Sequence, residues 1–203
     1  MRRAIVTIAS AAVVAATGIV ITAASTADAN MKSARANLLT ANGTNIGSVD
    51  ISDDDGTTQV KVRLTGAPGV DAFHGFHIHA NDVPANGSGC VADPNAAASS
   101  WFLSADAHYN PGAQTHAHHL GDMPVVYVNA DGSVETKFRI DRLEPASLDG
   151  KVIILHAGAD NFANVPVGAG ATEYTPNSAD ATSLTLKTGN AGSRIACGVI
   201  SVR

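Results

Sequence analysis

Apolar and polar positions alternate along this chain in short runs, and the alternation predicts strands. Gln59-Val60-Lys61-Val62-Arg63-Leu64 sets apolar against polar at period two, the pattern of a strand with one buried face. Comparable runs predict further strands over residues 34–41, 45–52, 76–79, 125–129, 133–140, 151–156 and 195–202. Asn42-Gly43 and Asp53-Asp54-Asp55-Gly56 mark turns, and Ala130-Asp131-Gly132 joins 125–129 to 133–140 as a hairpin. No long helical period is visible, so the domain reads as all-β, which the 19 glycines and the 4% aromatic content suit. Residues 80–122 and 157–193 read as irregular, and loops of this length in a compact domain are usually functional. In 76–79, Phe76 and Ile78 face one way and His77 and His79 the other, because side chains alternate across a strand.

The first thirty residues break from this pattern. Arg2 and Arg3 open the chain, residues 4–24 are almost wholly apolar, and Ala27-Asp28-Ala29 fits the small-x-small site of a signal peptidase. The expected organisation is a signal peptide over 1–29 and one domain over 30–203. A retained membrane anchor is the rival reading, since 21 weakly polar residues could just span a bilayer. Without a basic cluster directly after it, the segment reads better as cleaved, with no stable membrane association afterwards.

Removing Arg2, Arg3 and Asp28 from the chain's 13 basic and 18 acidic residues leaves 11 against 17. That acidic balance makes nucleic acid and anionic lipid poor partners. The two cysteines, Cys90 and Cys197, read as one disulfide in an exported chain, with a pair of buried thiols as the alternative.

The chemistry lies in the histidines, of which there are eight. His77-x-His79 puts two imidazoles on one strand face, about 7 Å apart at strand rise, a spacing that suits two ligands of one ion. His108, His116, His119 and Asp122 fall within fifteen residues of glycine- and proline-containing loop. Three imidazoles and a carboxylate match a closed four-coordinate zinc site, and imidazole-rich sites also suit copper.

The blocks GFHIH at 75–79, HYNP at 108–111, HLGD at 119–122, LHAGAD at 155–160 and GNAGSRIACGVI at 189–200 resemble, in order, the signature blocks of copper/zinc superoxide dismutases. The likeness runs from about Ala34 to the C-terminus. It implies an eight-stranded antiparallel Greek-key β-barrel or sandwich with two long functional loops, exported to a secreted, periplasmic or cell-envelope location. It implies an enzyme that converts superoxide, its small-molecule substrate, to dioxygen and hydrogen peroxide. By the same resemblance His77, His79, His108 and His156 hold copper, and His108 is shared with a zinc site completed by His116, His119 and Asp122. Asp160 links a copper histidine to a zinc histidine, Arg194 guides the anion, and Cys90 pairs with Cys197. His74 matches a structural histidine ahead of the copper strand, while His118 has no counterpart.

The chain departs from the family pattern in two places. Only Ala117 and His118 separate His116 from His119, a contracted loop, which leaves open whether zinc binds and whether His118 replaces His116. The 157–193 loop is longer than the family's and carries Asp160, Glu173 and Asp180 against Lys187. One alternative belongs to another class: an exported copper-binding or copper-delivery protein without turnover. Such domains commonly lack the arginine or a copper ligand, and this chain has both.

Overall fold

The computed structural model describes residues 33–161 and 179–203; the expected signal segment, 1–29, lies outside them. Among the described residues there are nine strands: β1 (Ser33–Thr40), β2 (Asn45–Asp54), β3 (Thr57–Leu64), β4 (Ala72–His74), β5 (Phe76–His79), β6 (Val126–Val128), β7 (Val134–Ile140), β8 (Val152–His156) and β9 (Arg194–Val202). Each of the eight expected segments contains a strand, and β4, which ends just before Gly75, is a ninth that was not expected. Seven strands make an antiparallel sheet in the order β5-β8-β9-β1-β2-β3-β7, and β4 pairs with β6 in a small second sheet.

Local chemistry explains the meander β1-β2-β3. Asp55 and Gly56 both adopt positive φ, 52° and 79°, which closes a tight hairpin with the right-handed twist of its strands. Val60, Val62 and Leu64 of β3 are buried while Lys61 and Arg63 face outward. They join Val49, Ile51, Phe76, Ile78, Ile153 and Leu155 in the main core. Val126 and Val128 of β6 bury into the same core, so the small sheet packs over the concave side of the large one.

Two expectations are corrected. The segments 125–129 and 133–140 do not pair as a hairpin: β6 pairs with β4, and β7 pairs with β3. The connecting turn does close, with Gly132 N–H on Asn129 O and Asn129 N–H on Ser133 O, but the strands leave it for different sheets. The second correction is a helix, α1 (Ala179–Thr188), inside the span expected to be irregular. Leu184 and Leu186 alternate with Thr and Lys there at a strand-like period, which hid it. No helix among the described residues is long and apolar enough to cross a membrane.

Residues 80–122 form a loop stiffened by short 3-10 turns at Pro84–Asn86, Ala98–Ser100 and Leu103–Ala105. Cys90 and Cys197 are disulfide-bonded with 5.6 Å between Cα atoms, tying this loop to β9. Around the bond Phe102, Ala105, Val152, Ile154 and Cys197 make a second, smaller core on the outer face of the sheet.

Because the bond closes 107 residues of chain, its loss should cost about 4–5 kcal/mol of stability. Equilibrium urea unfolding of a Cys90→Ala, Cys197→Ala double variant would check this, as a fall in the midpoint. An unchanged midpoint would show that the second core alone fixes the loop.

Candidate metal centre

β5 lies at the edge of the large sheet, and an unpaired strand edge leaves backbone donors and acceptors to be satisfied. The 80–122 loop satisfies them. Ile78 N–H donates to Gly121 O, Tyr109 N–H to Ile78 O, Ala80 N–H to Ala107 O and Asn81 N–H to Ala105 O. Residue pairs His77 with Asp122 and His79 with His108 thus stand as isolated bridges across that edge. The approach demands a glycine at 121, since a Cβ there would lie 2.3 Å from Ile78 O. Two imidazoles from a strand and three ligand-type side chains from a loop are brought together by ordinary backbone pairing.

Two clusters result. In the first, His77, His79, His108 and His156 are all buried, with one ring nitrogen from each within 4.8 Å of the others. The opposite nitrogen of each ring is engaged. His77 Nε2–H donates to Asp160 Oδ2 at 2.6 Å, and His79 Nδ1–H to Asp106 O at 2.8 Å. His156 Nδ1–H faces Gly192 O at 3.2 Å, and His108 Nδ1 faces Asp122 Oδ1 at 2.9 Å. What is left inward includes His77 Nδ1 and His108 Nε2, buried and without a hydrogen-bond partner among the described residues. His79 Nε2 and His156 Nε2 meet at 3.4 Å.

The second cluster centres on Asp122 Oδ1, which lies 2.9 Å from His108 Nδ1, 3.1 Å from His116 Nδ1 and 3.3 Å from His119 Nδ1. A tetrahedron with metal–ligand bonds of about 2.0–2.1 Å has edges of about 3.3 Å. These separations are therefore close to those of a zinc coordination shell. His116 is buried, whereas His118 is exposed. Of the two, only His116 is brought to the cluster.

Asp160 joins the clusters, with Oδ2 on His77 and Oδ1 on His116 Nε2, both at 2.6 Å. Gly189 makes room for it, at φ 63°, because a Cβ there would fall 1.9 Å from Oδ1. Asn161 N–H donates to Gly189 O and Gly189 N–H to Thr185 O, so the end of α1 fixes this approach. His116 N–H donates to Leu186 O of the same helix.

Charge follows position. Burial drives His79 and His156 well below the ordinary imidazole value, assisted by neighbouring histidines and Arg194. Burial also takes His108 down to about 4 against the pull of Asp122, and lowers His119. These rings are neutral at pH 7, the state a metal requires of them. For His116 burial acts downward too, but its hydrogen bonds to the carboxylates of Asp122 and Asp160 outweigh it and raise the ring to about 9. Burial would raise Asp122 and Asp160, yet His108 and His116 hold Asp122, and His116 and His77 hold Asp160, well below the carboxylate range. Two carboxylates against one imidazolium leave a buried negative charge; a divalent cation that displaced the proton from His116 would balance both carboxylates.

Arg194, at the start of β9, is gripped through Nη1 by Phe102 O and through Nη2 by Asp106 O, the latter at 2.6 Å. It lines a cavity of about 330 Å³ with Ser99, Trp101, Leu103, Gly192 and Ser193. Gly192 connects that cavity to the first cluster through its carbonyl on His156. A larger cavity of about 470 Å³, lined in part by Thr40, Pro68 and Trp101, contains none of the histidines. His74 stands apart from both clusters, its two ring nitrogens facing His156 O at 2.7 Å and Gly69 O at 2.6 Å. The parts played by Asp106, Phe102 and Gly189 went unnoticed in the sequence, although Asp106 stands two residues before His108 and Gly189 opens the GNAGSRIACGVI block. They act through main-chain position and close approach, which residue type does not reveal.

The chain is similar to known proteins both in sequence and in fold. The sequence model of the copper/zinc superoxide dismutase family matches residues 45–200. Superoxide dismutase [Cu-Zn] of Mycolicibacterium paratuberculosis is 36% identical over 184 residues, covering 88% of this chain and 78% of that protein. The extracellular superoxide dismutase [Cu-Zn] of Brugia pahangi is 29% identical over 171 residues, 79% of this chain and 71% of its own length. Among solved structures, Cu/Zn superoxide dismutase from Brucella abortus superposes with a TM-score of 0.58 at 26% identity. That match covers 82% of this chain and 98% of the other.

Gly189→Ala should push the Asp160 carboxylate off its two rings. Affinity at both clusters should then fall by about 10–100-fold, measured for copper and for zinc by competition with a chelator. Wild-type affinity at both would show that Asp160 does not orient the rings.

Proposed function

The chain belongs to the copper/zinc superoxide dismutase family, and from that premise we propose that His77, His79, His108 and His156 hold copper beside a zinc held by His108, His116, His119 and Asp122. The enzyme converts superoxide to dioxygen and hydrogen peroxide, with copper and zinc as its cofactors. The observation that carries the ligand assignment is the inward pair of buried, unpartnered nitrogens, His77 Nδ1 and His108 Nε2. A soft-to-borderline redox metal suits four imidazoles, whereas three imidazoles and a carboxylate suit zinc. When bound, copper supplies one-electron chemistry, accepting an electron from one superoxide and returning it to a second.

The protein residues do the rest. Arg194 binds the anion: its guanidinium is fixed by two carbonyls and faces the cavity, so no reorganisation is needed as charge arrives. The acidic total of the chain opposes the approach of superoxide, which makes this local cation the more important. His108 presents Nδ1 to the second cluster and Nε2 to the first. With Nδ1 directed to the second cluster, the ring would be placed to hold a proton on Nε2 and pass it to peroxide in the first. Two superoxide ions and two protons thereby yield one dioxygen and one hydrogen peroxide.

Asp122 and Asp160 orient the rings, and His116 rather than His118 is the zinc ligand of the contracted loop. The protein acts outside the cytoplasm, with 1–29 as its export signal and no stable membrane association once that is cleaved. Its disulfide and its likeness to an extracellular relative support this placement.

The purified domain, loaded with both metals, should remove superoxide and carry about one copper and one zinc per chain by elemental analysis. Full copper with no turnover would sink the catalytic reading and favour copper delivery. Arg194→Ala should slow turnover by roughly tenfold or more and flatten its dependence on ionic strength. For zinc, His116→Ala should abolish retention while His118→Ala leaves it intact; the reverse result would transfer the ligand role to His118.

A further inference from the structure

We propose that Asp106 is a positioning residue: its carboxylate clamps a costly backbone bend, so that one carbonyl oxygen orients both His79 and Arg194. The inference rests on the reading above for what those two residues do.

Asp106 stands at φ 63°, ψ −154°. A Cβ makes this region of backbone space unfavourable, and glycine is its usual occupant. A residue with a side chain there must be held in place. Oδ2 accepts the N–H groups of Asp82 and Val83 at 2.7 and 2.8 Å, and Oδ1 accepts Asn86 Nδ2–H at 2.7 Å. Asp106 is only 8% exposed, so water competes little for these bonds. Its main-chain oxygen meanwhile accepts His79 Nδ1–H at 2.8 Å and Arg194 Nη2–H at 2.6 Å.

Glycine would take this bend without strain but would bring no carboxylate. The chain carries the strained residue and has three fixed bonds to the 82–86 segment in exchange. Because the ligand ring and the anion-binding guanidinium share one acceptor, any slack at residue 106 turns both. The other carbonyl on Arg194 comes from Phe102, also left-handed at φ 54° and four residues earlier in the same tight segment. The two bends thus set where the guanidinium points, and only Asp106 extends that control to a ring of the first cluster.

The test uses copper-loaded Asp106→Ala, Asp106→Gly and Asp106→Asn proteins, read by the Cu(II) EPR hyperfine pattern and by azide affinity. Asp106→Ala loses the clamp while keeping the strain, and Asp106→Gly loses the clamp while removing it. Both should alter the hyperfine pattern and weaken azide roughly tenfold. Asp106→Asn can accept from Asp82 and Val83 and donate to Asn86 once that amide turns over, so it should keep the wild-type spectrum and azide affinity. A wild-type spectrum and affinity in Asp106→Gly would overturn the proposal, even if Asp106→Ala failed to fold. So would an Asp106→Asn protein as impaired as Asp106→Gly, because charge rather than the clamp would then be responsible. Neither readout needs turnover. A wild-type protein that binds azide at copper yet leaves superoxide untouched would fail the catalytic reading and leave this one standing.

Discussion

The free edge of β5 is the constraint on which the rest of this molecule depends. A strand whose outer backbone groups are unpaired must find partners, and here the partners are Ala105, Ala107, Tyr109 and Gly121 of one long loop. Satisfying them draws His108, His119 and Asp122 against His77 and His79. The metal centre is therefore built largely by main-chain hydrogen bonding, and the side chains arrive already placed. Gly121 matters for the same reason, because any side chain there would strike Ile78 O.

Within that frame the histidines divide by their neighbours. Rings that face carbonyl oxygens or one another are kept neutral by burial, and so present lone pairs inward. His116 sits between two carboxylates, which raise its ring to about 9 against the effect of burial. A proton there partly offsets the buried charge of Asp122 and Asp160, and a metal ion would offset all of it. Asp160 couples the two halves: a single carboxylate touches one ring of each cluster, so the orientation of one ring bears on the other.

The loop that docks on β5 is restrained at three further points. The disulfide ties it to β9, Phe102 and Asp106 grip Arg194 at the start of β9, and Phe102 buries into the second core. Catalytic groups on loops are precise only when the loops are held. Here a long loop approaches the rigidity of a sheet, and the strain at Asp106 is sustained because the surroundings fix it.

Much of this was legible in the sequence wherever the governing interaction is local. Strand 59–64, the Asp55-Gly56 turn and the opposed faces of 76–79 follow from side-chain alternation and turn chemistry, which act over a few residues. The ordered blocks from GFHIH to GNAGSRIACGVI pointed to the family and to the residues now placed in the two clusters, except His116, which lies between blocks and was left open against His118. Partner choice lay beyond reach. Val126–Val128 and Val134–Ile140 look like a hairpin, yet each pairs with a strand far away in sequence, because burying both apolar faces in one core outweighs pairing with each other. Helix α1 was masked by alternating leucines, and its end is fixed by contacts to Asn161 and His116. His116 and His118 are chemically identical, and only the path of the folded loop buries one and exposes the other. The sequence by itself determined which chemistry the chain carries and where its strands run. Tertiary structure decided which strands meet, which histidine turns inward and which carbonyl holds Arg194, because those outcomes depend on distances between residues that the chain order keeps apart.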